Sequence, residues 1–563
     1  MTTPSPKPRR ALRRLALGTA LILAVAGSVL WINRSTVALW AVGIMMDRRM
    51  PVGPHREVEW NAGSDPRGRA SNERPPNIVL IMADDLGWND LTWNGGGAAG
   101  GTLPTPSIDS IAAAGVAFTN GYAANGTCAP SRAALLSGRY PTRFGFEFTP
   151  TPALMPRIVG MLAGEDPLRT RKPILPDPMP EVGDFNELGM PGSEITLAEL
   201  LRDVGYHTVH IGKWHLGGAR GMAPGDQGFD ESLLLANGLY LPEDDPNVVN
   251  AKQEFDPIDR FLWKAMKYAA SFNGGEAFAP GGYLTDYYSD EAVKVIEANR
   301  DRPFFLYLAY WAPHTPLQAT RADYDALSHI TSHRERVYAA MLRALDRGVG
   351  RVLEALRLNG LEDNTLVIFT SDNGGPAYIG LPDVNKPFRG WKITYFEGGI
   401  HVPFFAKWPA RIPAGRRYDA PIHHFDVLPT AAAAAGATLP TDRAIDGTDL
   451  LPYLRGEQSG VPHRKLFWRS GTAQSALIDG WKLNLSDPPG RAWLFNLRQD
   501  PTERHDLAAE RPDKVAEIRA EIDAHNLTQQ PPAWPSVADM PINIDKDTSI
   551  ADAPDDEYIY WSN

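Results

Sequence analysis

One cysteine, Cys128, stands in 563 residues, which excludes an intrachain disulfide framework and any thiolate-rich zinc or iron–sulfur site. Basic residues are the minority. With 56 Lys+Arg against 67 Asp+Glu and a net charge of −11, the chain lacks the electrostatic footprint of a general nucleic-acid binder. Long apolar runs are scarce too. One, Leu15 to Ile32, approaches the roughly 20 residues of a spanning helix; a second, Val37 to Met46, is too short to span and suits a membrane surface at most. No internal repeat is visible. At 43% hydrophobic and 22% charged, the composition is too apolar for a disordered protein.

The charge is unevenly spread. Residues 1–50 hold eight Lys/Arg and one Asp, a net +7, so the remainder carries −18. A basic flank over residues 1–14 followed by the apolar run 15–32 is the pattern of an export signal. Uncleaved, that run is a transmembrane anchor with its arginines on the cytoplasmic side; cleavage near Ala24-Val25-Ala26 would release the body instead. Either way the catalytic body is expected outside the cytoplasm, at a periplasmic or extracellular face. Residues 33–75, rich in Arg, Pro, Gly and Asn towards their end, read as a linker.

From residue 76 the pattern changes. Asn77–Met82 is a short continuous apolar run, the mark of a strand buried on both faces, and His207–Ile211, Phe304–Tyr310 and Thr365–Phe369 repeat it. Between them lie helical patterns, clearest over Arg334–Leu358. Strands alternating with helices predict an α/β fold, a large mostly parallel central sheet sandwiched by helices. That catalytic domain is expected over 76–445. A smaller C-terminal α+β subdomain follows over 446–535, with short strands at 476–478, 481–485 and 493–497 before a helix at 512–525. Residues 536–563, with six acidic residues and one Lys from Asp545 onward, read as an acidic peripheral tail. Two stretches break the rhythm, 144–193 with nine prolines and 236–290; long loops in a compact domain are usually functional or mobile.

Each buried strand is followed by residues capable of chemistry: Asp84 and Asp85, then Lys213 and His215, then His314, then Asp372 and Asn373. Ligands bind outside the carboxyl ends of strands in an open parallel sheet, so four distant segments are expected to converge on one cleft. One Asp pair alone would more often cap a turn; four such coincidences are hard to explain that way. Asp84, Asp85, Asp372 and Asn373 offer only oxygen ligands, which suit Ca²⁺, with Mg²⁺ behind it, rather than zinc. Repulsion among three carboxylates also favours a cation there. Lys213, His215, His314, Arg132 and Lys392 are donors and cations fitted to a tetrahedral oxyanion. Metal plus cationic cluster points to sulfuryl or phosphoryl ester transfer. Cys128-Ala129-Pro130-Ser131-Arg132 leads into a helix-like run, which would place Cys128 at a helix N-terminus, a position favouring an anion or nucleophile.

These residues resemble the type I, formylglycine-dependent sulfatases of the alkaline-phosphatase superfamily. The likeness runs from about Pro76 to Leu507. Cys128-Ala129-Pro130-Ser131-Arg132 with Leu136-Ser137-Gly138-Arg139 is similar to both halves of the sulfatase signature. Gly212-Lys213-Trp214-His215, Ser371-Asp372-Asn373-Gly374-Gly375, Arg389-Gly390-Trp391-Lys392 and Glu397-Gly398-Gly399 follow in the same order, and Leu494-Phe495-Asn496-Leu497 with Asp500-Pro501-Thr502-Glu503 is similar to the closing subdomain. The resemblance implies a sulfuric ester hydrolase acting on an aryl or carbohydrate sulfate. It implies that a formylglycine-generating enzyme oxidises Cys128 to Cα-formylglycine, whose hydrate supplies the nucleophilic hydroxyl. Asp84, Asp85, Asp372 and Asn373 would hold Ca²⁺, and Asp372 would activate that hydroxyl. Arg132 and Lys213 would orient it and neutralise sulfate oxygens; His314 with Lys392 would serve the leaving alcohol, and His215 the breakdown of the intermediate. Two readings stay open beside this one, a phosphoester or phosphonate hydrolase of the same superfamily and a non-catalytic binder of sulfated glycans. His401 stands where these enzymes usually carry Arg and is expected behind the site or on the surface. His423 and His424 read as structural, and Asn33, Asn125, Asn484 and Asn526 match glycosylation sequons.

Overall fold

Along Asn77–Ala83 every residue is buried, and the strand serves two separate cores. Val79, Ile81 and Ala83 pack on one side, Ile78, Leu80 and Met82 on the other, the period of two that a strand imposes on its side chains. This computed structural model describes residues 13, 16–20, 25, 27, 28, 31, 33–70, 73–152, 154–166 and 168–563. Two compact units divide it, residues 1–51 and 52–563. The first contains one continuous helix, α1 (Arg34–Arg49), where a linker was expected. Among the described residues no helix is long and apolar enough to cross a membrane; much of the expected anchor, 15–32, lies outside them.

The second unit is built on a nine-stranded sheet. Its strands are β1 (Asn77–Ala83), β2 (Val116–Phe118), β3 (His207–Gly212), β4 (Glu231–Gly238), β5 (Tyr268–Phe272), β6 (Phe304–Ala309), β7 (Thr365–Ser371), β8 (Phe404–Lys407) and β9 (Arg416–Tyr418). They lie in the order β9-β2-β8-β7-β1-β6-β3-β4-β5. The inner five, from β7 to β4, are parallel; β8 and β5 run antiparallel to their inner neighbours. Helices cover both faces. On one lie α5 (Leu284–Ala298) and α6 (His333–Leu358), with Val337, Met341, Leu345, Val349 and Val352 fully buried. On the other lies α2 (Cys128–Ser137), every residue of it buried. The architecture is thus the expected α/β sandwich, and β1 is the strand from which the chain order departs in both directions, a topological switch point.

A four-stranded antiparallel sheet follows: β10 (Lys465–Ser470), β11 (Ala473–Ile478), β12 (Trp481–Ser486) and β13 (Arg491–Asn496). Helix α7 (Pro512–Asn526) packs on it through Ile518 and Ile522.

Three expectations need correction. Within 33–75, residues from 52 onward lie along the catalytic body rather than bridging open space: Gly53 pairs with Phe278 and Ser64 with Asp301, and Trp60 Nε1 donates to Glu291 Oε2 at 2.7 Å. The stretch 236–290 is structured, contributing β5 to the main sheet and helix α4 (Pro257–Ala265), which packs against α3 (Met155–Glu165) of the other insertion. The acidic end is a hairpin, β14 (Asp539–Asn543) with β15 (Tyr558–Ser562). Its charges are answered by arginines: Arg389 bonds Asp545 and Glu557, and Arg171 donates to Asp556 O. Of the sequons, Asn125 and Asn484 are buried and present no amide to an enzyme in the folded chain.

Candidate active site

The register of the inner strands brings the chemistry together. Ala83 pairs with Ser371, Met82 with Ala309, and Gly212 with Ala309, so the residues that follow each strand emerge side by side. Strand β3 can end this close to β6 because Gly212 has φ 109 and a Cβ there would lie 1.9 Å from Ala309 O. Asp85 has φ 64 and His215 φ 62, a left-handed backbone that costs non-glycine residues about 1–3 kcal/mol and tends to concentrate at functional sites.

Helix α2 enters from the opposite side. Its first residue is Cys128, and it ends at Gly138 with φ 70. One turn on, Arg132 is wholly buried; its Nε and Nη2 donate to Asp372 Oδ2 at 3.0 and 2.8 Å, Nη2 also reaches Asp84 Oδ2 at 3.1 Å, and Nη1 donates to Lys213 O at 3.0 Å. Lys213 Nζ lies 2.7 Å from Asp84 Oδ2 and 4.7 Å over the Trp311 ring. Lys392 is brought in by two backbone bonds, its N to Gly375 O at 3.0 Å and Ile393 N to Gly126 O at 2.6 Å. Its ammonium donates to Asp85 Oδ2 at 2.7 Å and to the Tyr378 hydroxyl at 3.0 Å. Asn373 Nδ2 donates to Asp85 Oδ1 at 2.8 Å, and Cys128 Sγ is 4.0 Å from that oxygen.

His314 is stacked on Trp311 with ring centroids 3.9 Å apart. Burial first, then Lys392 and Lys213, hold its pKa well below the ordinary value. The neutral ring donates from Nδ1 to Thr315 O at 2.6 Å, which leaves the Nε2 lone pair 3.5 Å from Asp85 Oδ2. His215 stands apart. It bonds none of the carboxylates, its Nε2 faces Pro150 O at 3.4 Å, and its Nδ1 is buried without a partner. Burial and the charges of Lys213, Arg132 and Lys392 lower its pKa, which ties it to the same field.

Three carboxylates thus meet three buried or nearly buried cations. Burial and Asp372 raise Asp84 to about 7 against the pull of Lys213 and Arg132. For Asp85 burial is outweighed by Lys392, ahead of His314, and the carboxyl is held well below its usual range. The side chains thus answer the charge of Asp85, but not fully that of Asp84. What points to a cation is narrower. Asp84 Oδ1 and Asn373 Oδ1 are buried with no hydrogen-bond partner, and Asp84, Asp85, Cys128 and His314 place one ligand atom each within 4.8 Å of one another. Two hard oxygens left unpaired in a dry site fit an oxygen-loving divalent ion.

Cys128 stands at the helix start, as expected. Burial drives its thiol up to about 12, so the start of a helix does not make it a thiolate at neutral pH. Three residues were not read from the sequence, Tyr378, Trp311 and Tyr307, whose hydroxyl accepts from Arg132 Nη1 at 3.5 Å; each is an aromatic that composition cannot tell from core. His401 is not on the surface. It is buried, with Nδ1 2.7 Å from Glu397 Oε2 and Nε2 2.8 Å from Thr119 O. His424 is also fully buried and pairs with Ala124 N and Thr370 Oγ1, a structural placement.

Comparison with known proteins agrees with this geometry. The sulfatase family model matches residues 76–437. The human N-acetylgalactosamine-6-sulfatase is 34% identical over 497 residues, covering 81% of this chain and 87% of that one. The mouse steryl-sulfatase is 32% identical, covering 82% and 83%. A crystal structure of Ps i-CgsB in complex with k-i-k-neocarrahexaose superposes with a TM-score of 0.67 at 32% identity, over 82% of this chain and 95% of that one. With the family match across the catalytic body and relatives of this identity over most of their length, this chain belongs to the sulfatase family and is a hydrolase of sulfate esters.

Proposed function

We propose that the protein, exported from the cytoplasm, releases inorganic sulfate from a carbohydrate or aryl sulfate, with Cys128 converted to Cα-formylglycine and Ca²⁺ held by Asp84, Asp85, Asp372 and Asn373. The observation that carries this reading is the buried Arg132 fork, which joins the helix of Cys128 to Asp84 and Asp372 at two strand ends. Burial holds the Cys128 thiol neutral, which argues against direct thiolate attack; the sulfatase signature around Cys128 supports conversion. The unpaired Asp84 and Asn373 oxygens support the cation. Bound there, Ca²⁺ would supply Lewis-acid polarisation of a sulfate oxygen, and formylglycine would supply a hydroxyl nucleophile.

The chain's own side chains do the rest. Arg132, Lys213 and Lys392 neutralise a tetrahedral, singly charged sulfate-ester head group and fix its orientation. In this reading Asp372, whose Oδ1 accepts from Asp85 N at 3.1 Å, would accept the proton of the nucleophilic hydroxyl. Lys392, its pKa raised by Asp85 against the cost of burial, hydrogen-bonds to the departing oxygen as a charge rather than as a strong acid. His314 presents its Nε2 lone pair to the same space, and His215 closes the cleft on the Lys213 side. Export is supported by the basic flank and apolar run at the start of the sequence.

The test has two parts. Peptide mass spectrometry on protein from its natural host should find the Cys128 fragment lighter by about 18 Da. The same protein should release sulfate from aryl and sugar sulfates faster than phosphate from the matching phosphates. Free thiol throughout, or faster phosphate release, would sink the reading.

A further inference from the structure

One part of the proline-rich stretch 144–193 is tied to the site. Asp184 caps a single turn, Phe185–Glu187, by accepting from Asn186 N at 3.1 Å. Asn186 O then accepts from Gly218 N at 2.9 Å and Ala219 N at 3.0 Å, and Met190 N donates to Leu216 O at 3.0 Å. Gly189 lies so near that chain that a Cβ would stand 2.2 Å from Leu216 O. The turn and the segment that follows His215 are therefore one unit. Position 189 must be glycine for it to close.

What that unit presents is Phe185. Its ring centroid is 6.3 Å from that of His215, tilted by 38°, and it is 40% exposed. Single exposed apolar residues are common on protein surfaces and need no explanation. This one differs in its position. It is fixed by backbone bonds beside His215, two residues along the chain from Lys213, whose ammonium lies 2.7 Å from Asp84 Oδ2. A sulfate held by Lys213, Arg132 and Lys392 must send its ester oxygen and alcohol outward past them. Ligand sites combine a few placed polar groups with apolar walls, and here the exposed aromatic face beside the polar groups is that of Phe185.

We propose that Phe185 is a substrate-contacting residue, a platform on which the ring of the leaving alcohol lies while the sulfate occupies the cationic pocket. The proposal rests on the sulfatase reading above and adds a requirement to it: the alcohol carries a flat or chair ring within one ring's reach of the ester oxygen. A pyranose and an aryl ring share that chemistry.

Binding separates the two claims. In the Ca²⁺-loaded Cys128→Ala protein, which cannot turn over, inorganic sulfate, 4-nitrophenyl sulfate and N-acetylgalactosamine 6-sulfate are titrated with and without Phe185→Ala. The substitution should weaken at least one ring ester by about threefold to tenfold and leave inorganic sulfate unchanged, with Phe185→Trp restoring the loss. The ester that moves tells whether sugar or aryl ring is the natural fit. Unchanged affinity for both esters, or an equal loss for inorganic sulfate, overturns the platform. If the unsubstituted, Cys128-containing protein from its host releases no sulfate from any ester, the sulfatase reading falls and the platform with it.

Discussion

The Tyr378 hydroxyl donates to Asp85 Oδ2 at 2.9 Å while accepting from Lys392 Nζ at 3.0 Å. The phenol therefore fixes the distance between the acid and the ammonium it faces, 293 residues from Asp85 along the chain. Tyr378→Phe keeps the ring and deletes both bonds. Losing them in a buried site should cost about 1–3 kcal/mol. Because the displaced group is Lys392, the loss is expected in kcat for sulfate release, by about tenfold, with KM nearly constant. A steady-state comparison on one aryl sulfate checks this; an unchanged kcat would mean that Lys392 is held by Asp85 alone.

Why some of this was legible in the sequence and some was not has a physical basis. Strands such as Thr365–Ser371 are buried on both faces, so they read as unbroken apolar runs, and the polar residues after them stand out. Tyr378 lies in Gly-Pro-Ala-Tyr-Ile, where nothing local separates a site hydroxyl from a core aromatic; its role exists only through Asp85. The acidic end was misread for the same reason. Asp545 and Glu557 are answered by Arg389, a partner that local charge counting cannot supply. β5, Tyr-Ala-Ala-Ser-Phe, is a sheet edge with half-buried ends and lacks the apolar continuity that marked the inner strands. His401 left two placements open, behind the site or on the surface, because its partners Glu397 and Tyr122 meet it only in the folded chain.

Removing the metal should be visible without any activity assay. Among the proposed ligands, Asp84 Oδ1 and Asn373 Oδ1 are buried with no hydrogen-bond partner, so a chelator should lower the melting temperature and Ca²⁺ should restore it. At about 100 times Kd the ion would add about 2.7 kcal/mol. Asn373→Leu, which fills the space without an oxygen, should abolish most of that Ca²⁺-dependent shift. A full shift in the variant would remove Asn373 from the ligand set.

Away from the cleft, three buried carboxyls should contribute stability that falls as pH rises. Burial raises Asp90 to about 7, against the hydrogen bonds from Tyr338 and Gly87, and raises Asp256 to about 8 and Asp259 to about 7. A carboxyl whose folded pKa lies above its unfolded value binds more protons when folded. Between about pH 4 and the folded pKa, each step upward therefore favours the unfolded chain. Buried imidazoles held below their ordinary pKa, His210 and His424 among them, contribute with the opposite sign, so the carboxyl contribution is read as a difference between parent and variant. Asp90→Asn still accepts from Tyr338 and Gly87 but carries no charge, so in chelator-treated protein its melting temperature should exceed the parent's by more at pH 8 than at pH 5.5. An equal or smaller excess at pH 8 would count against burial of the Asp90 charge as the cause.

Lys482 joins the C-terminal sheet to the catalytic body. It is fully buried, with Nζ 2.6 Å from Glu397 Oε1 and 3.0 Å from Glu503 Oε1. Burial raises Glu503 to about 7 despite Lys482, whereas at Glu397 Lys482, with His401, outweighs burial and brings the carboxyl down to about 2. The link reaches the site by a short route, because Glu397 opens the turn whose Gly399 O accepts from Gly374 N at 2.9 Å, next to Asn373. Lys482→Met keeps the volume but leaves two buried carboxyls facing each other, and breaking a buried ion pair costs about 3–5 kcal/mol. The variant should melt well below the parent and become open to protease between the sheet and the body. Adding Glu503→Gln removes one of the stranded charges and should recover part of the loss. If Lys482→Met melts with the parent, the two domains are held by apolar packing around Trp493 and Phe396 and the charges contribute nothing net.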